Sequence, residues 1–235
     1  MSPSKLEVLD YVETELGTLI LRRRDSPSLG PGVYEVTLAG EFLMSSAVNA
    51  TELALADLAM ARCSGKELEV CVGGLGLGCT AARVLDDARV RRLVVVELLQ
   101  PVLRWHEHGI VPLGQRLCDD DRCAFVQQDF FAWAAATPSA FDAILIDIDH
   151  SPAGAGPESL LHPHNADFWA GRGPEALAAK LRQGGILALW SADPPTPDFV
   201  ARFRRSFDRV AVEEIEFAVP QLDRTDRNSI LLASR

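Results

Sequence analysis

The stretch Glu67-Leu68-Glu69-Val70-Cys71-Val72-Gly73-Gly74-Leu75-Gly76-Leu77-Gly78 decides how the chain folds. Residues 67–72 read as a buried strand, since their apolar side chains fall at adjacent as well as alternate positions. A helix begins near Thr80, and the glycines between strand and helix permit positive φ and close approach of the backbone to a ligand. A tight strand-to-helix turn needs only one or two glycines. Four within six residues (Gly73, Gly74, Gly76 and Gly78) point to a binding loop.

Outward from this unit the alternation of strand and helix repeats. Arg92–Glu97 is a second buried strand, followed by a helix over Pro101–His108 with proline in its first turn. Cys123–Gln127 and Phe141–Asp147 are the third and fourth strands. A helix over Glu175–Leu181 stops at Gly184-Gly185, and Ile186–Trp190 is the fifth strand. Asp198–Phe207 is helical, and Arg209–Val219 with Ser229–Ala233 forms an antiparallel finish. Such a pattern predicts an α/β fold: a doubly wound, mostly parallel seven-stranded sheet covered on both faces, Rossmann-like and of class I methyltransferase type. Upstream, Thr51–Ala61 reads as a helix with Thr51 as N-cap. Before it, Gly17–Arg22, Val33–Leu38 and Phe42–Ser45 alternate with turn signals at Ser26-Pro27, Gly30-Pro31-Gly32 and Ala39-Gly40. Residues 1–50 are therefore expected to form a small N-terminal β-hairpin appendage, and 51–235 the nucleoside-binding catalytic domain.

The composition narrows the function classes. The 235 residues include 33 acids and 23 bases, a net charge of −10, and 48% are hydrophobic. This suits a large core and a cationic small substrate better than a nucleic-acid partner held through its phosphates. The apolar runs are strand-sized, whereas a membrane helix needs about 20 residues, and Met1–Asp10 has no apolar block of the signal-peptide kind. Five cysteines without a C-x-x-C predict buried thiols in a reduced, cytoplasmic protein. No membrane or nucleic-acid partner is expected, and a homodimer is one option for the assembly.

Ligands of such sheets sit beyond the carboxyl ends of the strands. The first strand ends in the glycine loop. The second ends in Glu97, next to Leu98; a carboxylate there accepts ribose hydroxyls, and the spacing fits a nicotinamide dinucleotide as well. The third leads to Asp129-Phe130, placed for an adenine amine and ring, although Phe130 also suits ordinary core. The fourth gives Asp147-Ile148-Asp149-His150, three ionisable groups in four residues at the mouth of a site. An acid that caps the next turn is the structural alternative.

In this order, glycine loop, Glu97, Asp129-Phe130 and Asp147-x-x-His150 resemble the spermidine synthase family of polyamine aminopropyltransferases. The β segment and helix carrying Glu52 before the sheet add to the likeness, which runs from about Gly17 to the end. The resemblance implies Glu97 as ribose acid, Asp129 as adenine acid and Asp147 as catalytic acid, with decarboxylated S-adenosylmethionine or S-adenosylmethionine as co-substrate and no metal. Three departures stand out. The family's loop reads G-G-G-D-G, and its aspartate falls on Gly76 here. The second acid of its D-S-T-D-P segment falls on His150, with Asp149 beside it. The tyrosine and histidine around the family's glutamate are missing near Glu52.

Aminopropyl transfer displaces a neutral thioether from a sulfonium, so it requires an aimed, unprotonated amine and a nearby proton acceptor rather than a general acid. Asp147 would serve as that acceptor. Asp149, His150, Glu52 and Trp190 would shape the end that receives an amine substrate. Methyl transfer to a small molecule has the same geometry and is the alternative; a non-catalytic nucleoside- or partner-binding module is the second. His106-x-His108 faces apart on a helix and cannot chelate one metal. His162-Pro163-His164 and Asp193-Pro194-Pro195 read as loop and turn, and Arg22-Arg23-Arg24 as an exposed strand end.

Overall fold

The computed structural model describes residues 6–26, 30–148, 150–152, 160–161, 165–219 and 223–235. Strands β1 (Leu6–Thr14), β2 (Gly17–Ser26), β3 (Gly30–Leu38) and β4 (Glu41–Ser45) form an antiparallel sheet in that order. Helix α1 (Ala50–Arg62) leads into the alternating part: β5 (Leu68–Gly73), α2 (Cys79–Leu85), β6 (Val90–Glu97), α3 (Gln100–Glu107), α4 (Gly114–Cys118), β7 (Cys123–Gln127), α5 (Phe130–Ala136) and β8 (Phe141–Ile146). Then follow α6 (Asn165–Ala170), α7 (Gly173–Ala179), β9 (Leu181–Ser191), α8 (Pro197–Phe203), β10 (Arg209–Val219) and β11 (Arg224–Ser234). The second sheet has seven strands in the order β10-β11-β9-β8-β5-β6-β7. Strands β9, β8, β5, β6 and β7 are mutually parallel, and β11 runs antiparallel between β9 and β10.

Alternation along these strands builds two cores. Val70, Val72, Val95, Leu145 and Ala188 face α1, α2 and α3, in one apolar cluster with Leu19, Leu21, Val36 and Leu38 of the N-terminal sheet. Cys71, Val94, Ile144, Ile146 and Leu187 face the other side, against Phe131, Leu177 and Phe203 of α5, α7 and α8. Both faces are apolar because helices cover both, which is why the strands show continuous apolar runs. The N-terminal sheet thus shares the main core, and Trp105 of α3 also donates to Asp10 of β1 at 2.7 Å.

Several details differ from the sequence reading. Strand β1 is additional. Helix α1 has Asn49, not Thr51, at its N-cap, and Thr51 is buried inside the first turn. Helix α7 ends at Ala179 and β9 already starts at Leu181, so Gly184, with φ +75°, is an irregularity within a strand rather than a helix stop. Helices α4, α5 and α6 were not anticipated. The five cysteines are free thiols, but only Cys63 and Cys71 are buried as expected; Cys79 and Cys123 are partly buried and Cys118 is exposed. Among the described residues no helix is long and apolar enough to cross a membrane.

The chain leaves β5 toward β6 on one side and returns to β8 on the other, so the topological switch lies between β5 and β8. There the backbones cross closely. Gly74 N–H donates to Val96 O and Asp147 N–H to Gly73 O, each at 2.9 Å. Gly74 has φ +89°, and a Cβ there would fall 2.2 Å from the Asp147 carbonyl oxygen. Gly74→Ala is therefore expected to cost at least ~1–2 kcal/mol from left-handed strain alone, and more from the overlap. Urea unfolding measures it; a midpoint equal to wild type would contradict this geometry.

Candidate active site

A cavity of about 1340 Å³ opens over the switch point, between the N-terminal sheet and the strand ends. That is ample for a nucleoside and a second small molecule. Asp147 emerges one residue after β8 and lies in its floor, half-buried. Thr80, in the first turn of α2, donates its hydroxyl to Asp147 Oδ2 at 3.0 Å. Glu52 comes from the first turn of α1, where the Thr51 hydroxyl donates to its Oε2 at 3.1 Å. The two carboxyls are close enough to repel. Burial, then the Asp147 charge, pushes Glu52 up to about 7. Burial likewise raises Asp147, to about 6, against the Thr80 hydrogen bond. Cys79 sits beside both acids; burial is the main reason its thiol is raised to about 11, so it is neutral near pH 7.

On the β6 side, Glu97 is almost fully buried. Its Oε2 accepts from Leu75 N–H at 2.9 Å and its Oε1 from Leu99 N–H at 2.8 Å. Burial raises its pKa while the backbone donors work the other way. The Gly76 and Leu98 backbone N–H groups also act on this carboxylate, more weakly than Leu75 and Leu99. Leu98, 38% exposed, lines the cavity next to it. Asp129 and Phe130 line it too, but Asp129 also caps α5, its Oδ1 accepting from Phe131 and Ala132 N–H at 2.7 and 3.0 Å. Phe130 is mainly core.

The four glycines divide. Gly74 and Gly76 line the cavity; Gly73 and Gly78 do not. A Cβ on Gly73 would meet the Phe130 ring at 2.6 Å, and one on Gly78 would meet His106 and Leu117 at 2.8 Å, so packing excludes a side chain at both, and at Gly78 so does its φ of +87° at the start of α2. His106 is the loop's support: buried in α3, its Nε2 lies 2.9 Å from Gly76 O, while His108 at the far side of the turn is exposed. Gly76, at the position of the family's loop acid, lies under Met44 of β4, whose Sδ would be 2.8 Å from a Cβ there.

The remaining wall carries His150 and Trp190, their rings 6.1 Å apart and edge to face at 70°. Ala192 N–H donates to the His150 carbonyl at 2.8 Å and ties this loop to the end of β9. Asp193, read from sequence as part of a turn, also lines the cavity and accepts from Ser151 Oγ at 2.7 Å. Asp149, His162 and His164 lie outside the described residues. Arg22 and Arg24 correct the reading of residues 22–24 as an exposed strand end: both are partly buried against Glu35 and line the cavity, and only Arg23 faces outward. The sequence signalled Thr80 as a helix start but not as the partner of Asp147, and nothing in it marked Met44.

No family model matches this chain. Polyamine aminopropyltransferase 2 of Pseudomonas aeruginosa is 29% identical over 152 residues, covering 60% of this chain and 40% of that protein. The chain thus spans well under half the length of this curated relative. A spermidine synthase in complex with the transition-state analogue AdoDATO superposes with a TM-score of 0.73 at 19% identity, over 97% of this chain and 73% of that one. Spermidine synthase from Thermotoga maritima gives 0.70 at 18% identity, over 97% and 72%. The chain has the spermidine synthase fold. The likeness to spermidine synthases read from the sequence agrees with both comparisons, in sequence over 152 residues and in fold over 97% of the chain.

Glu52 and Asp147 have a consequence for stability. Both fold with pKa values above those of the unfolded chain, so the folded state binds more protons between about pH 4 and pH 7. Stability from this pair is greatest below that window and falls as pH rises through it. Glu52→Gln removes the buried charge. Its urea midpoint should gain on wild type from pH 5 to pH 8; a pH-independent difference would contradict the paired burial.

Proposed function

We propose that this protein transfers an aminopropyl group from decarboxylated S-adenosylmethionine to a small amine, with residues 51–235 as the catalytic domain and residues 1–50 as its appendage. The observation that carries this reading is the meeting of Asp147 and Glu52 in the floor of a cavity that also holds Glu97 and the glycine loop. On this reading the Glu97 carboxylate accepts the ribose hydroxyls, Leu98 and Phe130 flank the adenine, and Asp129 lies at its edge. A new N–C bond forms as the amine attacks the carbon next to sulfur. The C–S bond breaks with its electron pair going to sulfur, which leaves as a neutral thioether. The proton lost by nitrogen passes to Asp147, which Thr80 holds in place.

The paired acids favour a cationic partner. Two like charges in a half-buried site raise each other's pKa, and an ammonium between them relieves that repulsion. Near neutral pH the pair holds a fraction of a proton, which suits Asp147 to accept one from the amine as it reacts. His150 and Trp190 line the same end. Amine binding there, with no nucleic-acid or membrane partner and with a cytoplasmic location, completes the reading.

Gly76 under Met44 favours a second reading, methyl transfer from intact S-adenosylmethionine, because no loop acid is present to disfavour the donor's carboxylate. One experiment separates the two. Incubation with each donor and a set of amines, followed by mass spectrometry, should give a mass gain of one aminopropyl group; a methyl gain alone would replace the first reading by the second. Asp147→Asn should lower turnover ~10²–10⁴-fold while methylthioadenosine still binds in calorimetry. Glu97→Ala should instead weaken methylthioadenosine by roughly 1–3 kcal/mol. Near-normal turnover of Asp147→Asn would remove its catalytic role.

A further inference from the structure

We propose that Arg22, Glu35 and Arg24 form a carboxylate-binding element in the cavity wall, so that the amine acceptor itself carries a carboxylate. The inference rests on the aminopropyl-transfer reading for the other end of the acceptor.

Strand alternation sorts the three consecutive arginines. Arg22 stands directly opposite Glu35 in the β2–β3 register, and Arg24 follows on the same face. Arg23 points to the other face, where it pairs with Glu7 at 3.0 Å. Glu35 is 3% exposed. Its Oε2 accepts from Arg22 Nε at 2.8 Å and its Oε1 from Arg24 Nε at 2.6 Å. Both contacts use Nε, so among the described residues the outer Nη groups of both guanidiniums have no protein acceptor.

One carboxylate between two guanidiniums leaves the group one positive charge in excess. The other arginines of the cavity differ in this respect. Arg224 has Asp226 at 2.7 Å, and Arg227 has Glu214 at 3.1 Å and Glu216 as well. Among the described residues the uncompensated cation of the wall is thus the Arg22–Arg24 pair, held in place by a buried acid. Planar guanidinium forks match a carboxylate in shape as well as charge.

The described lining is therefore acid-rich, with Glu52 and Asp147 in the floor and Glu41, Glu97, Asp129 and Asp193 elsewhere, and the Arg22–Arg24 pair is its excess cation. A simple diamine is positive at both ends and meets repulsion at the arginines. An amine bearing a carboxylate matches both. Putrescine and ornithine test this cleanly, since they differ by one carboxylate on the same carbon chain. An intact S-adenosylmethionine would also bring a carboxylate, and the donor arms below distinguish that source.

Calorimetry on the full chain saturated with methylthioadenosine should show ornithine binding at least ~10-fold tighter than putrescine. Arg24→Gln should remove most of that difference by weakening ornithine alone, and Arg24→Lys, which keeps the charge facing Glu35, should weaken it less. Methylthioadenosine affinity should be unchanged in both variants. Tighter binding of putrescine, equal binding of the two, or binding of neither overturns the inference. So does an Arg24→Gln variant that selectively loses S-adenosylmethionine over its decarboxylated form, since the carboxylate would then be the donor's. Failure of the wild type to bind methylthioadenosine would instead overturn the nucleoside-site reading beneath it.

Discussion

The contact between the Gly74 backbone and the Asp147 carbonyl is the constraint on which the site depends. Strands β5, β6 and β8 end together because Gly74 N–H reaches Val96 O and Asp147 N–H reaches Gly73 O. This crossing leaves no room for a side chain at position 74. It fixes where the chain turns into α2, and so puts Thr80 within reach of the Asp147 carboxylate. It also sets the start of the loop whose Leu75 N–H binds Glu97. Three groups from three strand ends therefore share one rigid frame made of backbone hydrogen bonds. Side-chain packing then adds Glu52 by docking α1 on α2.

The buried acids of this frame are held in different ways. Glu97 is surrounded by backbone N–H donors from the loop and from its own strand end, which stabilise the charged form against burial. Asp147 has one hydroxyl and Glu52 another, and the two acids also oppose each other. Such a pair stores unfavourable electrostatic energy in the empty protein, which a cation entering the site reduces. Glu35 is the converse case: an acid more deeply buried, but with two guanidiniums on its two oxygens. The charge left over lies on the partners, not on the acid.

How much was legible in the sequence follows from where each signal arises. The central parallel strands β5, β6, β8 and the second half of β9 were readable because burial on both faces makes them continuously apolar, whereas β7 at the sheet edge has no buried residue and was readable only from its short apolar run. Glu97 and Asp147 were readable as acids closing the buried runs. Strand β1 was not. It is an edge strand whose Glu7, Asp10 and Glu13 interrupt any apolar pattern, and its large side chains Leu6, Val8 and Tyr11 are exposed. The start of β9 was hidden by Gly184-Gly185, which look like a helix stop but lie inside a strand with a local irregularity. Asp129 carried two signals at once, as a strand-end acid and as the cap of a short helix, and its Oδ1 serves the second. Residues 22–24 read as one basic run, whereas the pleat sends Arg23 to a different face from its neighbours. The pairing with Glu35 depends on the hairpin register, which spacing within a single strand does not reveal.

The fit of Met44 against Gly76 ties the N-terminal sheet to the glycine loop. Gly76 has φ +50°, a conformation that aspartate also tolerates better than most residues, so backbone geometry alone does not demand glycine there. What excludes a side chain is the Met44 thioether, which a Cβ would approach to 2.8 Å at sulfur and 3.0 Å at Cε. The loop acid of the spermidine synthase family and a methionine so placed are thus mutually exclusive unless the thioether swings away. With glycine at 76, the wall above the loop is apolar and comes from β4. Leu19, Leu21, Val36 and Leu38 of the same sheet lie in the main core with Leu75 and Leu77 of the loop. The appendage therefore closes the cavity as an integral wall, and the polarity of that wall is set jointly by Met44 over the loop and by Arg22, Arg24 and Glu35 on β2 and β3.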